Sequence, residues 1–224
     1  MLVTGIKSKP VYAPLRADTR GRYHLMLGKE IGNVALMRVL GELQSAAPQA
    51  LARTRVLSIP AAPSATPSAT PAAAAAPSAD SPAPSAARPG DFAALGLEEL
   101  RVFADVPSLL RDFRSLLEGA SMGTRLYVAG PESFIGLAMK IALEFDLNKD
   151  EIRAEELGTL ARRVYCIHCR ATTEDVRTNI VRCIDCGSWL LVRDHYSRRL
   201  AAYMGVMVDA EAPGELPELK EVFL

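Results

Sequence analysis

Four cysteines in the last third of the chain have the spacing of metal ligands. Cys166 and Cys169 form one C-x2-C pair, and Cys183 and Cys186 form a second pair after thirteen intervening residues. Two thiolates separated by two residues can bind one ion from a tight turn, and four cysteine ligands make a closed tetrahedral site. Gly187, directly after the second pair, suits the positive φ that such a turn often needs. The pattern predicts a structural Zn²⁺ site.

The same four cysteines leave three other interpretations open. Rubredoxin-type iron and a 2Fe-2S cluster also use four cysteines, and disulfides are a third possibility for any set of four. His168 lies inside the first pair and His195 follows the second. Because four thiolates complete the coordination of zinc, we expect neither histidine to bind the metal.

A small β-rich domain, residues 161–208, must position the cysteines. Residues 172–182 carry strand-forming side chains and predict a hairpin that joins the two cysteine pairs, while residues 189–192 predict a third strand. A core of this size is rarely stable alone, so metal binding would supply much of its folding free energy. We therefore expect a zinc ribbon.

Strands and helices alternate in the rest of the chain. Predicted strands begin near Tyr23, Thr54, Leu100, Arg125 and Ile152, with amphipathic helices between several of them. This order predicts an α/β fold with a small parallel sheet flanked by helices, divided into residues 1–60 and 91–160. Its ligand crevice would lie beyond the carboxyl ends of the strands.

A compositionally biased segment separates the two parts of the α/β domain. Residues 61–90 contain thirteen Ala, seven Pro and five Ser, and no large apolar residue. Proline breaks helices and alanine buries little surface, so this segment is expected to be a disordered linker.

Charge is balanced over the whole chain but not along it. Lys and Arg total 26, as do Asp and Glu, which disfavours a protein whose main partner is nucleic acid. The ribbon carries eight arginines, however, and residues 209–224 form an acidic tail with five acids against one lysine. No stretch is apolar enough to span a membrane or to act as a signal peptide, so we expect a cytoplasmic protein.

Two turns of the α/β domain resemble those of ferredoxin reductase-like enzymes. The sequence LYVAGPESF, residues 126–134, is similar to that family's nicotinamide-binding segment, and LGKEIGNVA, residues 27–35, aligns with its glycine turn. Lys29 and Glu30 stand where the family has small or apolar residues, and the flavin-binding barrel is missing. The resemblance therefore implies a degenerate nucleotide-binding fold with no bound cofactor. Its vestigial positions are Gly28, Gly32, Gly130 and Pro131.

A second resemblance extends over nearly all of the chain outside the linker. The ribbon and the following stretch DHYSRRLAAYMGV, residues 194–206, resemble the DmmA-like subunit of bacterial dimethylamine monooxygenase, and IKSKPVY, residues 6–12, is similar to the start of that family. The resemblance implies membership of a complex that oxidatively N-demethylates dimethylamine to methylamine and formaldehyde. That complex uses NADPH, flavin, an iron-sulfur module and haem.

These observations favour a non-catalytic structural subunit. The chain lacks a flavin barrel, an intact phosphate-binding turn and a haem site, so those cofactors are expected in the reductase, ferredoxin-type and haem-type partner chains. Two alternatives stay open. One is a pyridine-nucleotide reductase or electron-transfer component with an iron-loaded cysteine site. The other is a zinc-ribbon nucleic-acid binder.

Overall fold

The structure is a computed structural model that describes residues 8–61 and 89–224. The segment predicted to be a disordered linker, residues 61–90, lies almost entirely outside the described residues. Within the described part, no helix is both long and apolar enough to cross a membrane.

In the described parts of the α/β domain, the structure has five strands and four helices. The strands are β1 (Tyr23–Lys29), β2 (Thr54–Ile59), β3 (Glu99–Val102), β4 (Thr124–Gly130) and β5 (Ile152–Glu156); the helices are α1 (Gly32–Ala46), α2 (Pro89–Ala93), α3 (Val106–Glu118) and α4 (Glu132–Glu144). Short 3-10 turns at Pro48–Arg53 and Lys149–Glu151 precede β2 and β5.

All five strands are parallel, in the order β3-β2-β1-β4-β5. The predicted parallel sheet is thus confirmed. Its strand order reverses between β1 and β4, where Gly28 pairs with Ala129. This reversal brings the β1–α1 and β4–α4 turns together at the carboxyl edge, the usual ligand crevice of such sheets.

Helices cover both faces of the sheet, because each has one apolar stripe. On one face α1 buries Leu36, Val39, Leu40 and Leu43, the residues that the sequence places at helical spacing. On the other face α3 and α4 pack together over the sheet. Helix α3 begins where the Asp105 side chain accepts a hydrogen bond from the Ser108 amide at 2.8 Å, and Gly119 follows its last residue.

Five further strands form the ribbon domain. They are β6 (Arg162–Cys166), β7 (Thr172–Val176), β8 (Ile180–Arg182), β9 (Trp189–Ser197) and β10 (Ala202–Met207). Their order is β7-β6-β10-β9-β8, with β10 parallel to β6 and the other pairs antiparallel. The third strand predicted at residues 189–192 is confirmed as the start of β9. Strand β10 was not predicted.

The predicted hairpin over residues 172–182 is wrong. Strand β7 pairs with β6 and β8 pairs with β9, so β7 and β8 lie at opposite edges of the sheet. The physical reason is that each cysteine pair is itself a tight turn that reverses the chain. The first pair joins β6 to β7 and the second joins β8 to β9, so two hairpins meet at the cysteines.

The apolar residues that follow the predicted third strand pack inside the chain. Tyr196 on β9 and Tyr203 on β10 are buried, in edge-to-face contact with ring centroids 5.1 Å apart. Gly136 on α4 lets the ribbon approach, because a Cβ there would lie 2.2 Å from the Tyr196 hydroxyl. Tyr196 therefore lies at the contact between the ribbon and the α/β domain.

The end of the acidic tail returns to the ribbon. The Val222 and Phe223 amides donate to the Arg177 carbonyl at 2.9 and 3.0 Å. The Arg162 guanidinium lies between two rings, 3.7 Å from the centroid of Phe223 and 4.0 Å from that of Tyr203. These contacts fix the last residues of the chain beside the start of β6.

Candidate metal centre and its surroundings

The structure brings the four predicted cysteines together. Their sulfur atoms all lie within 4.8 Å of one another, with 3.9 Å between Cys166 and Cys186 and 3.4 Å between Cys169 and Cys183. Cys166 and Cys183 are buried, and the other two are half-buried. The two hairpins thus bring together cysteines that are up to 20 positions apart in the sequence.

The two cysteine turns share one backbone conformation. The Arg170 amide donates to the Cys166 carbonyl at 2.9 Å, and the Gly187 amide donates to the Cys183 carbonyl at 3.1 Å. Arg170 has φ 69° and Gly187 has φ 70°. The positive φ expected of Gly187 is confirmed. The equivalent residue of the first turn is Arg170. Because arginine is not typical of a positive φ, the sequence did not predict this conformation there.

The arrangement fits one tetrahedral ion. Four thiolates bound to zinc at about 2.3 Å hold their sulfurs about 3.8 Å apart, close to the separations observed here. All four cysteines are free thiols, and the sulfur–sulfur distances of 3.4 and 3.9 Å exceed the roughly 2.05 Å of a disulfide. When bound, zinc would tie the two hairpins together, with Cys166, Cys169, Cys183 and Cys186 as its ligands.

Residues around the cluster favour the metal-binding form of one ligand. The Ser188 hydroxyl lies 3.4 Å from the Cys186 sulfur, and hydrogen bonds with Ser188, then with His168, lower the pKa of Cys186. At Cys169 a backbone hydrogen bond with Ala171 lowers the pKa, but burial and the neighbouring cysteines outweigh it and raise that pKa. A low pKa favours the thiolate, which is the form that binds metal. Ser188 was not singled out by the sequence, since a serine near a cysteine carries no distinctive signal.

The two histidines flagged by the sequence are exposed. The cluster of potential ligands in the described part of the chain consists of the four cysteines. Neither His168 nor His195 belongs to this cluster.

The vestigial glycine turn of the α/β domain is filled by its own side chains. Asn33, which is fully buried, donates from Nδ2 to the carbonyls of Glu30 and Ile59 at 3.1 and 3.0 Å and accepts from the Ser58 hydroxyl at 2.9 Å. A Cβ on Gly28 would lie 2.2 Å from Asn33 Oδ1. Asn33 therefore lies against Gly28, in the turn between β1 and α1 at the carboxyl edge of the sheet, where folds of this topology usually bind their ligands.

The other vestigial positions serve close packing. A Cβ on Gly32 would lie 2.2 Å from the Ala129 carbonyl oxygen, so α1 starts in direct contact with β4. Gly130 has φ 153° and is followed by Pro131, at the N-terminal end of α4. The close packing at Gly32 and the positive φ at Gly130 explain why glycine stands at these two positions without a bound ligand.

The packing at Gly32 makes a testable prediction. Gly32→Ala should lower the free energy of unfolding by about 2 kcal/mol or more, because the obstructing atoms are backbone and cannot move cheaply. Gly41→Ala is the matched control on the same helix, where a Cβ meets nothing within 4 Å. That variant should gain about 0.5–1 kcal/mol through higher helix propensity. Equal unfolding curves for the two variants would contradict the packing argument.

A buried carboxyl group lies where the two domains meet, and no pattern in the sequence pointed to it. Glu132, at the first turn of α4, is 4% exposed, and neither carboxylate oxygen has a hydrogen-bond partner among the described residues. Burial raises its pKa to about 7. The Tyr12, Tyr196 and Tyr203 side chains surround it, and burial raises the pKa of each phenol, with the Glu132 charge as the second cause.

Comparison with known proteins agrees with the architecture. A family model described as the N-terminal domain of dimethylamine monooxygenase subunit DmmA-like proteins matches residues 78–152, and the model of the C-terminal domain of the same proteins matches residues 163–206. Together the two matches cover just over half of the chain. The second lies within the ribbon domain and includes all four cysteines.

A curated relative supports the same assignment. The chain is 34% identical over 111 residues to a protein of Ectopseudomonas mendocina named heme-dependent oxidative N-demethylase delta subunit. The match covers 50% of this chain and 63% of the relative, so it spans less than two thirds of the relative's length. With matching models for both domains and this relative, the chain belongs to the DmmA-like family of dimethylamine monooxygenase subunits.

Proposed function

We propose that this protein is a non-catalytic structural subunit of a multisubunit oxidative N-demethylase, the type of complex for which its relative is named. The proposed complex converts dimethylamine to methylamine and formaldehyde. The observation that carries the structural role is the closed set of four cysteine sulfurs, which leaves a bound ion no open position for substrate.

The metal in this proposal is zinc. Four thiolates at tetrahedral separations suit zinc, and the ion would stabilise a ribbon whose own core is small. Iron with the same ligands would give a coloured protein, so elemental analysis and an absorption spectrum of the purified chain distinguish the two metals. One zinc per chain and no visible bands are the expected result.

The α/β domain would have a structural role in the complex and would bind no cofactor. The side chain of Asn33 lies against Gly28 in the turn, and Glu30 adds negative charge beside it, which would repel a pyrophosphate. NADPH, flavin, the iron-sulfur group and haem are accordingly assigned to partner chains of the hetero-oligomer. Four free thiols suit a reducing compartment, and we place the protein in the cytoplasm.

Reconstitution tests this role. Partner subunits expressed without this chain should fail to co-purify as a stable assembly, and dimethylamine-dependent NADPH oxidation should fall at least about tenfold, because holding reactants and cofactors in place supplies much of a catalytic rate. Adding back the purified chain should restore both. The exposed-site variant Ile184→Ser should restore them equally, whereas Cys183→Ser should not. A complete assembly with full turnover in the absence of the chain would refute the proposal.

A further inference from the structure

An apolar groove of about 480 Å³ opens on the surface of the protein. Its walls come from the extended N-terminal segment (residues 10–16), from α4, from edge strand β5 and from the end of β9. Val11 on its rim is 98% exposed and Leu143 is 45% exposed. Exposed apolar side chains around a concave surface typically mark an interaction site.

The groove is positively charged. Four cationic side chains line it, and none of the described residues that line it is acidic: the cations are Arg16, Lys149, Arg153 and Arg198. Lys149 and Arg198 form no ion pair within residues 8–61 and 89–224. An occupant with apolar side chains and negative charge would match this surface.

Arg153 adds to the positive excess. Its guanidinium is 2.8 Å from the Asp18 carboxylate, but Arg125 and Arg20 contact the same carboxylate at 3.1 and 2.9 Å. Arg125 also contacts Glu151 at 3.5 Å, and Arg16 of the groove pairs with Glu42 at 2.7 Å. The positive charge that the groove keeps after these ion pairs are counted therefore comes chiefly from Lys149 and Arg198.

The same chain presents a segment with the complementary properties. We call residues 209–219 the acidic loop: it carries Glu211, Glu215 and Glu218, all exposed, and two exposed leucines. Leu216 is 40% exposed and Leu219 is 58% exposed. Acidic residues and leucines thus alternate along this exposed segment. A groove that is both cationic and apolar is suited to bind such a segment.

The acidic loop is held away from the groove of its own chain. The Val208 amide donates to the Trp189 carbonyl at 3.0 Å, and Asn179 donates to the Glu218 carbonyl at 2.9 Å, so both ends are tied to the ribbon. The loop starts after Met207, the far end of β10, whereas Arg198 lies beyond the opposite end of that strand. The two ends of β10 are separated by five residue steps of about 3.3 Å each.

We propose that the acidic loop of a second copy occupies this groove, and that two reciprocal contacts close a dimer. Each copy contributes one groove and one loop, so the pair satisfies both contacts and leaves no open end. Salt bridges from Lys149 and Arg198 to the loop glutamates set the orientation, and the leucines cover the apolar floor.

Charge reversal tests the proposal on the isolated chain by sedimentation velocity across micromolar concentrations. The wild-type chain should form a dimer that weakens as salt is added, because the contact includes exposed ion pairs. Lys149→Glu with Arg198→Glu should raise the dimer dissociation constant at least about tenfold, and Glu211→Lys with Glu215→Lys should do the same. Lys140→Glu, on α4 but outside the groove, is the matched control and should leave it unchanged.

Mixing the two charge-reversed proteins is the decisive experiment. A groove-reversed copy and a loop-reversed copy have complementary charges at both contacts, so the mixture should dimerise although neither protein does alone. A wild-type chain that stays monomeric at every concentration would overturn the proposal. So would a dimer that neither reversal weakens, or a mixture that stays monomeric. Because the isolated chain is measured, these outcomes do not depend on the proposed role in N-demethylation.

Discussion

Cys183→Ser is expected to abolish zinc binding and to unfold the ribbon domain. Zinc content should fall from one per chain to a small fraction of that. The loss should be large, because structural zinc sites contribute on the order of 10 kcal/mol to the folding of small domains. Cys183 is buried at the point where the two hairpins meet, so a serine there leaves the hairpins without their link.

The single tryptophan reports this unfolding directly. Trp189 begins β9, pairs with Arg182 of β8 and has that guanidinium 5.1 Å from its ring. Its fluorescence should shift to longer wavelength in Cys183→Ser, and in the wild-type protein after a chelator removes the metal. Ile184→Ser is the matched control, because Ile184 lies in the same turn but is 75% exposed. A Cys183→Ser protein with one zinc and native fluorescence would refute the site.

Glu132→Gln should change how stability depends on pH. The pKa of Glu132 is about 7 in the folded protein against an ordinary value of 4.5, so the folded state keeps a proton that the unfolded chain releases. The unfolding free energy therefore falls as pH rises from about 4.5 to above 7, by up to about 3 kcal/mol. Glutamine keeps the shape without the charge, so Glu132→Gln should be the more stable protein at pH 8 and equal to wild type near pH 4.5.

Charged neighbours modulate this effect without removing it. Glu156 on β5 raises the pKa of Glu132 further, while Lys9 in the N-terminal segment, Arg163 on β6 and contact with Tyr196 on β9 lower it. Other titrating groups, such as the buried His24, contribute equally to both proteins and cancel in their difference. Urea unfolding at several pH values gives that difference. Glu118→Gln, at an exposed position, is the control, and a Glu132→Gln profile parallel to that of wild type would contradict the prediction.

Local pattern was enough to predict much of the α/β domain. The stripe of Leu36, Val39 and Leu40 depends on residues close in sequence, as do the start of α3 at Pro107 and its end at Gly119, and each matches the structure. The pairing in the ribbon was mispredicted, since a strand's partner depends on where the chain turns. The cysteine pairs are those turns, and this double role is not visible in their spacing.

The sequence by itself determined the four cysteines as a set, the alternation of strands and helices, and the departures from a phosphate-binding turn. These features are properties of residue type and short spacing. Only the tertiary structure decided that Asn33 packs against that turn and that Glu132 is enclosed by Tyr12 of the N-terminal segment and by Tyr196 and Tyr203 of the paired strands β9 and β10. The partners Ser58 and Ile59 of Asn33 lie 25 and 26 positions away, and the tyrosines around Glu132 lie farther still, so no local pattern records these contacts. The tertiary structure also placed a cationic groove and an acidic loop on separate faces of one chain.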